Sequence, residues 1–527
     1  MLFSIFILCL AVALGVTLVV RSGLPNEYLS FGGMIRAATL PIKTLKYSLY
    51  YTGRNKDSDS PASAIGNLIY PAEVDVEVSS STIARDIPVL LYHGIVDMPD
   101  RFSLKEETFA EHMFALKNAG YNTITLNEFH EFLRGKRHLD EKSFLLTFDD
   151  ARIDAYYGVD PILRAFGFHA VMFVATDDSL YVPRPLPSYY IHESLLARMV
   201  KSGRWELGSH AVQDTGGFIV IDESGQWGNF LSNKKWLATL GRLETDEEYK
   251  ERIKWELEES KRVMEKTFNI PIVSISYPFG DYGQQEKNNP NAGDVIEEIV
   301  RQTYGLAFKQ VWKNDASYTS NFPPSDRYYL NRIEVGTTWT GDELLEVIRD
   351  ARAKDLPYHD EFTEDNGWKH SWGLMGVREG TLRLESATTS TGALAFLDGA
   401  RDWRNYLYSA SISNSTNEAV TLVSRFQDNN NFASCVFTAN RVRIEERVDG
   451  VDVRLVNVAN PAGKSVFSGT LGVSVNGNDM ECISGSEVLA STEINNRLDS
   501  GGVGISIWHP EAGIAGLSVL FIQVDNI

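Results

Sequence analysis

The sequence predicts a multidomain chain: an α/β domain on a parallel sheet, then an all-β sandwich, with a membrane-spanning helix in front. Three observations carry this. Between residues 86 and 355, short apolar runs alternate with stretches of helical periodicity, the grammar of βαβ units. Beyond Tyr358 the helical period disappears, and short alternating runs follow at about ten-residue spacing, punctuated by Gly, Asn and Asp, as in a sandwich or jelly roll. The chain opens on an uncharged apolar block. At 527 residues it is also too long for one core.

The elements follow in order. Leu2 to Val20 carries no charge until Arg21, and as a helix it would reach ~28 Å, close to the hydrocarbon thickness of a bilayer. It exceeds a signal-peptide core, so residues 1–21 read as an uncleaved anchor. Arg21, Arg36, Lys43, Lys46, Arg54 and Lys56 follow it and none precedes it. That would hold the C-terminal side in the cytoplasm, against the export expected from the chemistry below. Residues 22–85, with Lys56-Asp-Ser-Asp-Ser-Pro-Ala-Ser, read as a stalk.

In the α/β domain (86–355), Pro88 to Tyr92 predicts a strand, and Phe109, Met113, Leu116 and Ala119 predict a helix over 107–119 capped by Gly120. Strands are expected over 121–126, 144–148, 169–174 and 273–277, with a helix over 156–166. Thr245 and Glu248 form a capping box for a charged helix to about residue 267. The sandwich (358–527) is expected to use runs at 381–384, 393–397, 406–412, 420–426, 432–437, 442–447 and 453–456.

With 70 acidic against 50 basic residues the formal charge is −20, which excludes a nucleic-acid partner and favours a neutral or cationic one. Of three cysteines, Cys9 lies in the apolar block; Cys435 and Cys482 either form one disulfide outside the cell or stay as buried thiols.

The most informative stretch is Ser143-Phe-Leu-Leu-Thr-Phe-Asp149-Asp150, a buried-strand run ending in two carboxylates. Side by side at the C-terminal end of a strand they repel, unless a cation or a proton is shared. That points to a metal site with a spare base. His93, Leu207-Gly-Ser-His210-Ala-Val-Gln-Asp214 and Ser276-Tyr277-Pro278-Phe279-Gly280 could reach the same sheet edge. One Asp and His210 would supply two ligands, the other Asp would serve as general base, and His93 could protonate the leaving group.

Thr147-Phe-Asp-Asp150, Gly-Ser-His210 and Tyr277-Pro-Phe-Gly280 resemble the first three motifs of the polysaccharide deacetylases, carbohydrate esterase family 4. Pro88-Val-Leu-Leu-Tyr-His93, with Phe109 and Gly120-Tyr121, resembles the subgroup acting on biofilm poly-N-acetylglucosamine. The resemblance covers about residues 86–350. It implies a distorted (β/α) barrel of fewer than eight strands, with Asp149 as base, Asp150 and His210 as metal ligands and His93 as acid. The sequence departs from the pattern: Asp214 and Thr215 stand where a second His is usual, Ser276 replaces an Arg, and Ala151 replaces a Gly. Asp214 could complete an Asp-His-Asp set, for zinc or alternatively cobalt or nickel.

Residues 358–525 resemble a concanavalin-A-like (laminin-G/glucanase type) sandwich, through Asp360-Glu-Phe, Gly367-Trp368, Trp403-Arg-Asn-Tyr406 and Arg425-Phe-Gln-Asp428. Trp368, Trp372, Trp403 and Tyr406 could stack on sugars or fill the core. The reading is an anchored or exported bacterial N-deacetylase of an N-acetylated polysaccharide, with substrate contacts at Tyr277, Pro278, Phe279, Trp368 and Trp403. The competing reading is a carbohydrate-binding descendant that has lost the chemistry.

Overall fold

A computed structural model describes residues 39–49, 83–181, 189–213, 216–310, 317–323, 325–461 and 469–527. The expected anchor, most of the stalk and Asp214 lie outside the described residues. Among the described residues no helix is long and apolar enough to cross a membrane. The chain divides into two compact units, Met1–Gln310 with Phe322–Leu345, and Val311–Asn321 with Glu346–Ile527.

The first unit runs β1 (Val89–Tyr92), α1 (Glu106–Asn118), β2 (Asn122–Thr123), α2 (Leu126–Leu133), β3 (Ser143–Phe148), α3 (Ile153–Phe166), β4 (Ala170–Val174), α4 (Glu193–Lys201) and β5 (Trp205–Ser209). Two small hairpins follow, β6 (Phe218–Val220) with β7 (Trp227–Asn229), and β8 (Trp236–Leu237) with β9 (Arg242–Leu243). Then come α5 (Asp246–Phe268), β10 (Ser274–Ser276), α6 (Ala292–Thr303), β11 (Leu306–Phe308) and β12 (Ile333–Glu334). The strands form one parallel half-barrel sheet in the order β11-β10-β5-β4-β3-β1-β12, with β2 on β3. A parallel bridge from Phe308 to Leu330 brings the segment leading into β12 against β11, while Leu90 pairs with Ile333. One short segment therefore meets both ends of the sheet.

Parallel strands covered on both faces read as unbroken apolar runs, and β3 and β4 are buried at every residue. Thr245 caps α5 in a capping box with Glu248, and Asn269 ends it in the left-handed region at φ 53°. The strand expected over 121–126 shrinks to two residues because Thr125 and Glu128 form a second capping box, which starts α2 at Leu126. Since the strands are parallel, the residues after β1, β3, β5 and β10 all emerge at one edge: His93, Asp149-Asp150, His210 and Tyr277.

The second unit is all-β, with an eight-stranded and a seven-stranded antiparallel sheet among the described residues. Tyr406–Ser415 pairs with Gly516–Asn526 in the first, and Ala419–Asp428 with Gly502–Trp508 in the second. Alternate residues of both sheets, such as Tyr408, Val473, Val519, Leu422, Phe437 and Ile505, form one shared core. A disulfide joins Cys435 of one sheet to Cys482 of the other, Cα atoms 5.6 Å apart, which selects one of the two expectations for these cysteines.

Candidate active site

Asp149 continues the β1–β3 ladder, its N–H donating to Tyr92 O at 3.2 Å. Its side chain is 1% exposed. Arg332, equally buried, donates two parallel bonds, Nη1 to Oδ1 at 2.7 Å and Nη2 to Oδ2 at 2.8 Å. Ser276 Oγ adds a bond to Oδ2 at 3.1 Å and itself accepts from Arg332 Nη2 at 2.7 Å. Of about four lone-pair positions on a carboxylate, three are thereby used, leaving one on Oδ1. Burial alone would raise this carboxyl, but the charge of Arg332, with smaller influences from His210 and His93, holds it well below the usual carboxylate range. In the resting site Asp149 is therefore an ionised, rigidly held carboxylate.

Asp150 is set apart by its backbone. It stands at φ 71° and Ala151 at φ 49°, both in the left-handed region. The Asp150 side chain keeps 41% of its surface exposed, in contrast to its buried neighbour. Asp150 Oδ1 lies 3.5 Å from His210 Nε2. His210 Nδ1 is 2.9 Å from the Ser276 carbonyl, which can only accept, so a proton sits on Nδ1, and in the neutral ring the lone pair is on Nε2, towards Asp150. The His210 N–H donates to Val174 O at 2.9 Å, and Gln213 Nε2 holds the His210 carbonyl at 2.7 Å.

An open carboxylate beside an imidazole held in its acceptor tautomer is the donor pair that zinc, cobalt or nickel takes. Asp150 and His210 fit such an ion. Among the described residues no group of three His, Cys, Asp or Glu side chains could hold one, and Asp214, the expected third ligand, lies outside them. His93 follows β1 and is half-buried, its ring 6.0 Å from Phe102.

The expected substrate contacts separate. Tyr277 is fully buried, its hydroxyl donating to Tyr328 O at 3.0 Å, and Pro278 is buried beside it. Phe279, at φ 59°, is half-buried and packs 4.9 Å from Phe218, which is 43% exposed. Trp368 is 1% exposed and donates Nε1–H to Asp360 at 3.0 Å; Trp403 is 7% exposed and donates to Lys354 O at 2.8 Å. As placed, Tyr277, Pro278, Trp368 and Trp403 are core side chains and offer no ring face to a sugar. Of the set, Phe279 alone keeps a surface position.

Sequence reasoning missed Arg332, whose guanidinium bonds both Asp149 oxygens and the hydroxyl of Ser276. Its one local signal was a lone Arg directly before a buried strand, in Leu330-Asn-Arg332-Ile-Glu.

Residues 136–291 match the family profile described as polysaccharide deacetylase. Poly-beta-1,6-N-acetyl-D-glucosamine N-deacetylase of Escherichia coli (strain K12) is 25% identical over 229 residues, 41% of this chain and 33% of that protein. YxkH of Bacillus subtilis (strain 168) is 24% identical over 199 residues, 38% of this chain and 58% of that one. The match thus spans 58% and 33% of the length of these two relatives. Among solved structures, a de-N-acetylase from Aggregatibacter actinomycetemcomitans aligns with a TM-score of 0.41 at 20% identity, covering 50% of this chain and 99% of that one. The deacetylase domain of BpsB from Bordetella bronchiseptica aligns at 0.39 and 23% identity, covering 48% and 96%.

Proposed function

We propose that the chain is a metal-dependent hydrolase that removes acetyl groups from an N-acetylhexosamine polysaccharide, on a distorted (β/α) barrel. The observation that carries this is the division of labour within Asp149-Asp150. One carboxylate is buried and clamped by Arg332, and the other is open and faces the lone pair of His210. The match of residues 136–291 to the polysaccharide deacetylases and the similarity to the Escherichia coli enzyme support the substrate class.

Asp150 and His210 would hold the divalent ion, with Asp214 as the third ligand. When bound, such an ion lowers the pKa of water and polarises a carbonyl. Asp149 accepts a proton from the attacking water at the free position on Oδ1, while Arg332 and Ser276 keep the carboxylate from turning. His93 gives a proton to the amide nitrogen as the C–N bond breaks, so that acetate and an amine leave. Phe279 and Phe218 would border the bound sugar. The inter-sheet disulfide supports an oxidising compartment, hence export or anchoring outside a bacterial cytoplasm, and the sandwich would serve as a lectin-like module.

The test is a pair of metal and acetate measurements on variants. Asp150→Asn and His210→Ala should lose bound metal and activity together, whereas His93→Ala should keep the metal and lose acetate release. Full metal occupancy in His210→Ala would overturn the assignment.

A further inference from the structure

Beside Asp150 the chain carries an exposed aromatic ring. Ile153 N–H donates to Tyr189 O at 2.9 Å, Ile191 N–H donates to Ala151 O at 2.8 Å, and Arg152 bridges to Tyr190. The backbone of Tyr189, Tyr190 and Ile191 is thus stitched to the three residues that follow Asp150. Its side chain is held as well. The Arg152 guanidinium lies 4.9 Å from the Tyr189 ring centroid, and Tyr190 meets that ring edge-on at 4.9 Å. Arg152 in turn is pinned by Asp154 at 2.7 Å and Ser103 at 3.1 Å. It rests against Gly94, where an added Cβ would overlap the guanidinium. Gly94 directly follows His93, so the support behind the ring connects both proposed catalytic segments. With all this behind it, Tyr189 remains 52% exposed.

A large ring that is held by a guanidinium and a second aromatic ring and is still about half exposed is preorganised to receive a flat apolar surface. In a polysaccharide that surface is the C–H face of a pyranose. We propose that Tyr189 is a stacking platform for the sugar unit next to the one being deacetylated, so that the enzyme selects oligomers over single N-acetylhexosamines. The proposal rests on the deacetylase reading for the unit that occupies the centre; the platform itself needs only a neighbouring sugar ring.

The test uses the full chain and its Tyr189→Ala and Tyr189→Phe variants. The probes are β-linked N-acetylglucosamine oligomers of one to six units. Acetate release is followed alongside calorimetric binding of the same oligomers. If the contact is worth as much as an aromatic pair, the expected loss is roughly 2-fold to 12-fold. Tyr189→Ala should raise KM and Kd for the longer oligomers by that factor with kcat nearly unchanged. It should leave the single unit unaffected, and Tyr189→Phe should restore the wild-type values. Unchanged KM and Kd on long oligomers would overturn the platform, and so would equal losses on one unit and on six. If the wild type binds oligomers, loses them in Tyr189→Ala and yet releases no acetate, the platform stands and the deacetylase reading fails. No oligomer binding by the wild type overturns the platform.

Discussion

Two buried aspartates, one in each unit, are shifted in opposite directions by their surroundings. Asp149 in the half-barrel is 1% exposed and Asp398 in the sandwich 3%. Asp149 receives a bidentate guanidinium and stays well below the usual carboxylate range. Asp398 accepts the Tyr318 N–H at 3.0 Å, while the nearby Lys354 ammonium donates to its backbone carbonyl. Burial then dominates and pushes the Asp398 carboxyl up to about 7. Similar burial leaves a held charge where a guanidinium bonds both carboxylate oxygens, and a raised carboxyl where the nearby ammonium groups of Lys354 and Lys369 only partly offset the desolvation. The half-barrel uses its buried polar groups to keep a charge at a sheet edge; the sandwich uses its own to close a core.

The comparison breaks most visibly at Asp149. Asp149→Asn should reduce acetate release about 10²-fold to 10⁴-fold, the range for removing a general base, while bound metal, measured on the same sample, stays near the wild-type amount. Loss of the metal in this variant would make Asp149 a ligand and erase the distinction drawn within Asp149-Asp150.

Arg332→Met should come next. It leaves a buried carboxylate without its partner, which costs about 3–5 kcal/mol, read as a lower denaturation midpoint. Double substitution Asp149→Asn with Arg332→Met should be less destabilised than the sum of the two single variants, because the pair is then removed together.

In the sandwich, the disulfide closes a separation of 47 residues. The chain-entropy relation gives an upper figure of about 4 kcal/mol for that loop. Replacing both Cys435 and Cys482 by Ala should lower the melting temperature of the second unit's transition and leave acetate release from short oligomers in place.

The pH dependence separates the two aspartates directly. Asp398 is raised when folded, so the folded state keeps a proton that the unfolded chain gives up near the ordinary carboxylate value. Stability from this group is greatest below that value, falls as pH rises through about 7, and is flat above. The slope is at most about 1.4 kcal/mol per pH unit. Asp398→Asn should flatten the change in melting temperature between pH 5 and pH 8. Asp149 is lowered, so the stability it contributes is present above the ordinary value and lost only in stronger acid. It should add no slope between pH 5 and pH 8.

Much of the fold was legible because its signals are local. The run before Asp149 reads as a buried strand and is one, and the capping box at Thr245 begins a helix. A second capping box, at Thr125, was overlooked, and with it the end of a strand. That Asp149-Asp150 and His210 come to one sheet edge was legible, because each follows a strand-like run. Arg332 was not, because its partner lies 183 residues earlier in the chain and no periodicity connects them. The aromatics failed differently. Trp368 and Trp403 each have a polar tip that looks suited to a wet surface, yet both find an internal acceptor. Composition cannot distinguish an outward ring from an inward one. Tyr189 has the same kind of side chain, and its exposure follows from backbone bonds that only the fold reveals.

The most direct single measurement is acetate release from an N-acetylglucosamine oligomer by the full chain, before and after chelation and after return of one equivalent of zinc. A metal held by Asp150 and His210, serving Asp149, predicts that release stops on chelation and recovers with the added ion. Release that continues unchanged in the metal-free protein, or that is absent with the metal bound, would contradict it.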